Sequence, residues 1–230
     1  MKTVSVIIPA YNEIARLKST LEAIRGLNDV CEIIVVDDGS TDGTAEEAES
    51  AGADIVYIQP NSGKGAALRT GVGLASGEIL LFLDADLGET AAEAAKLLLP
   101  VHDGSADMTI ATFPSIPGKG GGVGLVVRLA RRGIFRLTGS RMRAPLSGQR
   151  ALTKSLIMTT GIEDGWGVEV GLTVRALWHH FKVVEVATEM THRVTGRSAG
   201  AIVHRAQQFR AAWKTLNRLA RELPKGGSSR

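Results

Sequence analysis

Cysteine, aromatic residues and long apolar runs are all scarce in this 230-residue chain, and each scarcity closes off a class of protein. The single cysteine, Cys31, excludes an internal disulfide. With no histidine beside it in sequence it reads as a core thiol rather than a nucleophile, which suits a reducing cytoplasm. Phe, Trp and Tyr make up 4% of the residues, too few to build stacking platforms, so nucleic acid is not an expected partner. No apolar stretch approaches the length of a membrane span. The opening MKTVSVIIPAYNE also reaches Pro9 and Asn12 too early for the apolar segment of a signal peptide. Such a chain is expected to be cytoplasmic, able to touch a membrane without crossing it. The first apolar run is not followed by G-x-G-x-x-G, which excludes an NAD-dependent oxidoreductase. Acids are missing from residues 118–150, which hold Lys119, Arg128, Arg131, Arg132, Arg136, Arg141, Arg143 and Arg150, and Glu222 is the only acid from Gly196 onward. The overall charge is a mild +3, so this asymmetry points to an anionic partner, either a phosphorylated substrate or a lipid surface.

What is present alternates in a regular way. VSVIIP is a continuous apolar run, the pattern of a strand covered on both faces. Ile14, Leu17, Leu21 and Ile24 then recur at helical spacing up to Gly26. EIIVVDDGS repeats the plan, with Asp42 placed to cap the next helix. DIVYI, Lys64 to Ala75, EILLFLDADL, Glu89 to Leu99 and DMTIAT continue it as strand, helix, strand, helix, strand. The fold class is therefore α/β, with a mostly parallel sheet between helices. Residues 1–112 make the ligand-binding half. Residues 113–223 add PGKGGGVG as a hinge, a basic amphipathic helix over Leu125 to Leu137, and a helix in GWGVEVGLTVRALWHH. A strand in KVVEVATEM and a basic C-terminal helix from Ala201 to Leu223 follow, and residues 224–230 read as a disordered tail.

Ligands of such sheets bind beyond the carboxyl ends of the strands, where Pro9 to Glu13, Asp37 to Thr44 and Asp84 to Asp86 all fall. Asp84 and Asp86, two apart at the end of an apolar strand, would point the same way in extended backbone and suit a hard divalent cation, Mn²⁺ or Mg²⁺. Turn and cap residues are the alternative reading of the same triplet. Asp38 can accept a hydrogen bond from a base or ribose, or simply serve a turn. Lys64, between two glycines at a helix start, can meet an anion or stand in solvent.

VSVIIPAYNE, IIVVDDGSTDGT, NSGKGAAL and ILLFLDADL, in this order and spacing, resemble the family 2 glycosyltransferases. PLSGQRAL, GWGVEVGL and THRVTGR are similar to the polyprenyl-phosphate glycosyltransferase and glucosyl-3-phosphoglycerate synthase branches. The resemblance implies a GT-A fold, a Rossmann-like α/β/α sandwich with a C-terminal helical extension. It implies that Pro9, Tyr11, Glu13, Asp38, Lys64, Asp84, Ala85 and Asp86 line the nucleotide sugar, with Arg193 and Arg197 on its phosphates. Asp86, His192 and Asp84 would hold the Mn²⁺ or Mg²⁺ ion. Glu169 is the first choice for the general base and Asp164 the second, unless the acceptor is already ionised. The implied reaction is inverting sugar transfer from a nucleotide diphosphate sugar, UDP-glucose first, to a phosphorylated or polyprenyl-linked acceptor. A peripheral contact with the inner face of an anionic membrane and a homodimer are both admitted. The competing classes are a sugar-phosphate nucleotidyltransferase, whose glycine-rich, arginine-containing loop is replaced here by PAYNE, and a non-catalytic membrane-surface binder.

Overall fold

The computed structural model describes residues 2–113, 123–163, 167–191 and 199–222. Among them, seven strands form one sheet in the order β3-β2-β1-β4-β6-β5-β7. β1 (Val4–Ala10), β2 (Val30–Asp37), β3 (Ile55–Ile58) and β4 (Ile79–Phe82) run parallel. β5 (Met108–Thr112) and β7 (Val183–Ala187) are parallel to each other, while β6 (Arg150–Thr153) lies antiparallel between β4 and β5. The sheet is flanked by α1 (Ile14–Arg25), α2 (Thr44–Ser50), α3 (Lys64–Leu74), α4 (Ala95–His102), α5 (Val123–Thr138), α6 (Lys154–Thr160), α7 (Val168–Trp178) and α8 (Ala199–Glu222).

Both faces of the central strands are covered, which is why VSVIIP shows no alternation. Val4, Val6 and Ile8 pack with Leu17, Leu21 and Ile24 of α1 on one side. Ile7, Leu80 and Phe82 pack with Ala67 and Leu68 of α3 on the other. α1 stops where expected, at the Gly26 cap. Asp42 serves two helix starts: one oxygen accepts from the Thr44 N–H at 3.1 Å and the other from the Ile14 N–H at 3.3 Å, while Gly43 holds the cap position of α2.

Four expectations need correction. β4 ends at Phe82, so Asp84 and Asp86 sit in a turn beyond the sheet and strand alternation does not aim them. The helix expected from Glu89 begins instead as a 3-10 stretch, Gly88–Ala94, that runs into α4. Cys31 is exposed at the start of β2, its Sγ 3.3 Å from the Val4 carbonyl, and is not a core thiol. Arg150 belongs to no basic surface; it is 1% exposed, inside the sheet. The 117–124 hinge lies mostly outside the described residues, and the 224–230 tail wholly so.

Glu32 ties the β1 end of the sheet to the turn before β4. Its Oε1 accepts from Ser5 Oγ (2.5 Å), the Ser76 N–H (2.6 Å) and Ser76 Oγ (2.8 Å). Burial pushes its pKa up, but the hydrogen bonds from Ser5, Ser76 and Gly77 outweigh this and hold it below the ordinary 4.5. A depressed carboxylate adds stability above its unfolded pKa and gives it up as pH falls through the folded one. The melting temperature should therefore drop as pH is lowered below 4.5, and Glu32→Gln should flatten part of that drop. Equal acid sensitivity in the two proteins would dismiss Glu32 as a contributor.

Candidate active site

Asp38, at the end of β2, is 5% exposed and organises the loop that follows β3. Its Oδ1 accepts from Gln59 Nε2 (2.7 Å) and the Ser62 N–H (2.9 Å), and its Oδ2 from the Gly63 N–H (2.7 Å). This pins residues 59–63 against β2 and sets the first residue of α3, Lys64. Lys64 then reaches inward. Its Nζ lies 2.6 Å from Asp84 Oδ1 and 3.1 Å from Glu169 Oε1, in the first turn of α7. Burial alone would lower its pKa, but the Asp84 and Glu169 carboxylates overrule burial and raise it above the ordinary 10.5. The ammonium is permanently charged at neutral pH.

Two neighbours complete this cluster. The Gln149 amide is paired with Asp84, donating from Nε2 to Oδ2 at 2.8 Å and accepting the Asp84 N–H on Oε1 at 3.3 Å. Gly148 passes so close that a Cβ there would stand 2.4 Å from Lys64 Nζ and 3.0 Å from Asp84 Oδ1. Beside Glu169, in the same small pocket as Gly148, lies Arg150. Its Nη1 donates to Thr173 Oγ1 (2.9 Å) and its Nε to the Ser147 carbonyl (2.9 Å), so its own partners are neutral. Burial pushes the guanidinium below its ordinary pKa while Glu169 and Glu185 pull it up. The two cations balance the two carboxylates of the cluster, which explains how four ionic groups tolerate burial together.

The turn that carries Ala85 and Asp86 is clipped to α1. Thr20 Oγ1 donates to the Ala85 carbonyl (2.9 Å) and accepts from the Gly88 N–H (2.8 Å), and Arg16 Nη1 donates to the Asp86 carbonyl (3.0 Å). Pro9, next to last in β1, pairs with Val36, and Tyr11, half exposed, opens the loop into α1. That loop is fastened to the 37–44 loop by Asn12, held at a left-handed φ of 56°, whose Oδ1 accepts from the Thr41 N–H at 2.9 Å, and by the Glu13 N–H donating to Thr44 Oγ1 at 3.0 Å. The structure thus brings Lys64, Asp84 and Glu169 into direct contact. It seats Asp38 behind Lys64, with Pro9 near the end of β1 and Tyr11 and Glu13 on the loop that follows. Asp164, His192, Arg193 and Arg197 lie outside the described residues. Among the described residues no group of three His, Cys, Asp or Glu gathers at one point. Sequence reasoning missed Gly148, Gln149 and Arg150; PLSGQRAL was the signal for them, but their roles depend on contacts 65 or more residues away in the chain for Gln149, and 23 for Arg150 with Thr173.

A polar cluster at the carboxyl ends of β1, β2 and β4 matches what the motifs anticipate, and the family comparison decides the family. The model for glycosyl transferase family 2 matches residues 5–162, well over half of the chain. The chain belongs to glycosyl transferase family 2. Among similar proteins, this family 2 chain is 33% identical over 203 residues to glycosyltransferase AglJ of Haloferax volcanii, covering 84% of this chain and 64% of that one. It is 31% identical over 195 residues to glucosyl-3-phosphoglycerate synthase of Mycobacterium tuberculosis, covering 75% and 60%. It is 32% identical over 238 residues to polyprenol monophosphomannose synthase of Mycolicibacterium smegmatis, covering 94% and 88%. The chain thus spans 64% and 60% of the first two of these relatives and most of the third. The crystal structure of the M. tuberculosis synthase with Mn²⁺, UDP-glucose and phosphoglyceric acid aligns with a TM-score of 0.80 at 28% identity, over 98% of this chain and 82% of that one. The same synthase with Mg²⁺ and UDP aligns at 0.81 over the same shares. The α/β expectation and the GT-A architecture hold for this family 2 protein.

Proposed function

We propose that the chain is an inverting, metal-dependent glycosyltransferase that moves a sugar from a nucleotide diphosphate sugar, UDP-glucose first, to a phosphorylated or polyprenyl-linked acceptor. The observation that carries this reading is the Lys64–Asp84–Glu169 cluster at the strand ends, with Asp38 fixing the lysine from behind. In the reaction an acceptor oxygen forms a bond to the anomeric carbon as the bond to the diphosphate breaks. Lys64 presents a fixed positive charge near the departing phosphates. Glu169, held by Lys64 through one oxygen, leaves its second oxygen to take the proton of a hydroxyl acceptor, with Asp164 as the second choice. A phosphate acceptor brings an ionised oxygen and needs neither.

The acidic turn fits a hard cation in donor chemistry. Asp84 shares its oxygens with Lys64 and Gln149, and Asp86, two residues on in the same turn, is half-buried. Asp86 would hold Mn²⁺ or Mg²⁺ together with His192 and Asp84, and Arg193 and Arg197 would sit on the diphosphate. Bound there, the ion supplies Lewis-acid stabilisation of the leaving diphosphate. Two observations support a phosphorylated acceptor: the basic bias of the second half, and the phosphate-bearing acceptors in the names of the relatives. A polyprenyl-linked acceptor would bring the chain to a membrane as a peripheral protein, since no described helix is long and apolar enough to cross one.

The test is a panel of UDP- and GDP-sugars, each with Mn²⁺, Mg²⁺ or chelator, read by thermal shift and slow donor hydrolysis. One nucleotide series should stabilise the protein only with the cation. Asp86→Ala should abolish that dependence and leave the melting temperature of the ligand-free protein unchanged. Full cation-dependent turnover in Asp86→Ala would overturn the metal assignment.

A further inference from the structure

The outward face of α5 is organised in a way that sugar transfer does not require. Val126, Ala130, Ile134 and Leu137 face the core at spacings of four, four and three. The opposite face carries Leu125, Arg128, Arg132 and Phe135 in line, at spacings of three, four and three, with Arg131 and Arg136 beside them. Leu125 is 68% exposed and Phe135 46%. Single exposed apolar residues are ordinary, but two aligned on one stripe and flanked by four arginines are a pattern. Arg141 adds a fifth cation, its guanidinium 5.3 Å above the Phe135 ring. No acid lies between residues 118 and 150 to neutralise them. Glu185, which reaches this segment from β7, accepts from the N–H groups of Arg143 and Ala144.

α8 extends the same chemistry. It packs against α5 where Leu216 fills the space left by Gly133, at which a Cβ would stand 2.3 Å from Leu216 Cδ1. One turn and two turns before Leu216, Trp213 and Phe209 are exposed, at 53% and 37%, with exposed Arg210 and Lys214 alongside. Two neighbouring helices therefore present apolar side chains and cations together.

We infer that the α5–α8 surface docks on an anionic lipid bilayer, with Leu125, Phe135, Phe209 and Trp213 entering the boundary between headgroups and acyl chains and the arginines meeting lipid phosphates. Charge complementarity selects this occupant. A nucleic acid would satisfy the cations and leave the Leu and Trp side chains in water. A second copy of the chain would bring arginines against arginines. An anionic bilayer satisfies both halves of the surface, as amphipathic basic helices do at interfaces. α5 leads into the loop that carries Gly148 and Gln149, so docking would hold the candidate site near the lipid surface. Such binding goes beyond sugar transfer and does not depend on which nucleotide sugar the site takes.

The experiment is flotation of the full chain with vesicles of phosphatidylcholine alone or with about one third phosphatidylglycerol, at low and high salt. Binding should be about tenfold stronger to the anionic vesicles and fall with salt. Arg128→Glu/Arg132→Glu and Leu125→Ser/Phe135→Ser should each lose most of it with unchanged melting temperatures, because these residues are exposed. Tryptophan quenching by brominated acyl chains should be largely removed by Trp213→Phe. Equal binding to both vesicle types, or full binding by the arginine variant, would overturn the proposal. So would equally tight binding to a DNA duplex at matched phosphate. Self-association that Leu125→Ser/Phe135→Ser abolishes, without vesicle binding, would reassign the surface to a second copy. Cation-dependent donor hydrolysis is measured without vesicles, so failure here and failure of the transferase reading are separable.

Discussion

Lys64→Met is expected to lower sugar transfer by about a hundredfold and to destabilise the fold by about 3 kcal/mol. The lysine touches both Asp84 and Glu169, and its removal takes a positive charge from between two partly buried carboxylates. One of them should then keep its proton at neutral pH, as in any closely spaced acidic pair. The sign of the pH effect follows. In the parent protein the raised Lys64 pKa adds stability that is complete below 10.5 and lost as pH rises from there through the folded value, so it is constant across the neutral range. In the variant the carboxylate with a raised pKa favours the folded state at low pH and loses that advantage as pH rises. The stability gap between the two proteins should therefore shrink from about pH 8 to about pH 5. Lys64→Arg should not rescue turnover, because the larger planar guanidinium cannot take the place of an ammonium packed this closely between Gly148, Asp84 and Glu169. Denaturant melts across pH with matched donor hydrolysis assays check all four statements. A variant with parental turnover would remove Lys64 from the site.

Glu163→Ala should cost about 2 kcal/mol, seen as a drop of about 5 °C in melting temperature. The 9%-exposed carboxylate accepts from Arg175 Nε at 3.0 Å on α7 and from Arg218 Nη2 on α8. Glu222 closes the set with Arg175 Nη2 at 2.8 Å. Truncation strands Arg175 with half its charge compensation; Arg218 is half exposed, which keeps the loss at the lower end for a buried network. Gly171 gives Glu163 its place, since a Cβ there would stand 2.3 Å from Glu163 Cγ, so Gly171→Ala should act in the same direction. Because Glu163 adjoins Asp164 and its partner Arg175 shares α7 with Glu169, kcat should fall more than the KM for the donor rises. Melting curves and steady-state kinetics on both variants decide it, and an unchanged melting temperature would show that α8 is held by other contacts.

How far the sequence could be read depended on the range of the interaction. β1 and α1 were legible because a covered strand and a helix stripe are local patterns, and the helix ends at Gly26 as its spacing implies. Lys64 and Asp84 were named, yet their meeting is a tertiary fact across 20 residues. β4 was drawn too long because DADL follows an apolar run without a proline or glycine, while the clip from Thr20 that turns the chain away comes from α1. β6 went unread: four residues opening with an arginine look like loop, and only its pairing with β4 and β5 makes them a strand. The same pairing buries Arg150, which composition had counted as surface charge.

β6 has a consequence for how the molecule can be divided. Running opposite to its neighbours, it enters the sheet at the edge where β4 leaves it, and so delivers Gly148 and Gln149 to the turn that holds Asp84. It also stands between β4 and β5, which share no direct pairing in the strand order. A cut near residue 113 would strip the earlier stretch of the strand that joins its last two, and would leave the later one without a scaffold. The two halves of the chain are thus woven through one another, and neither can be exchanged as a detachable module.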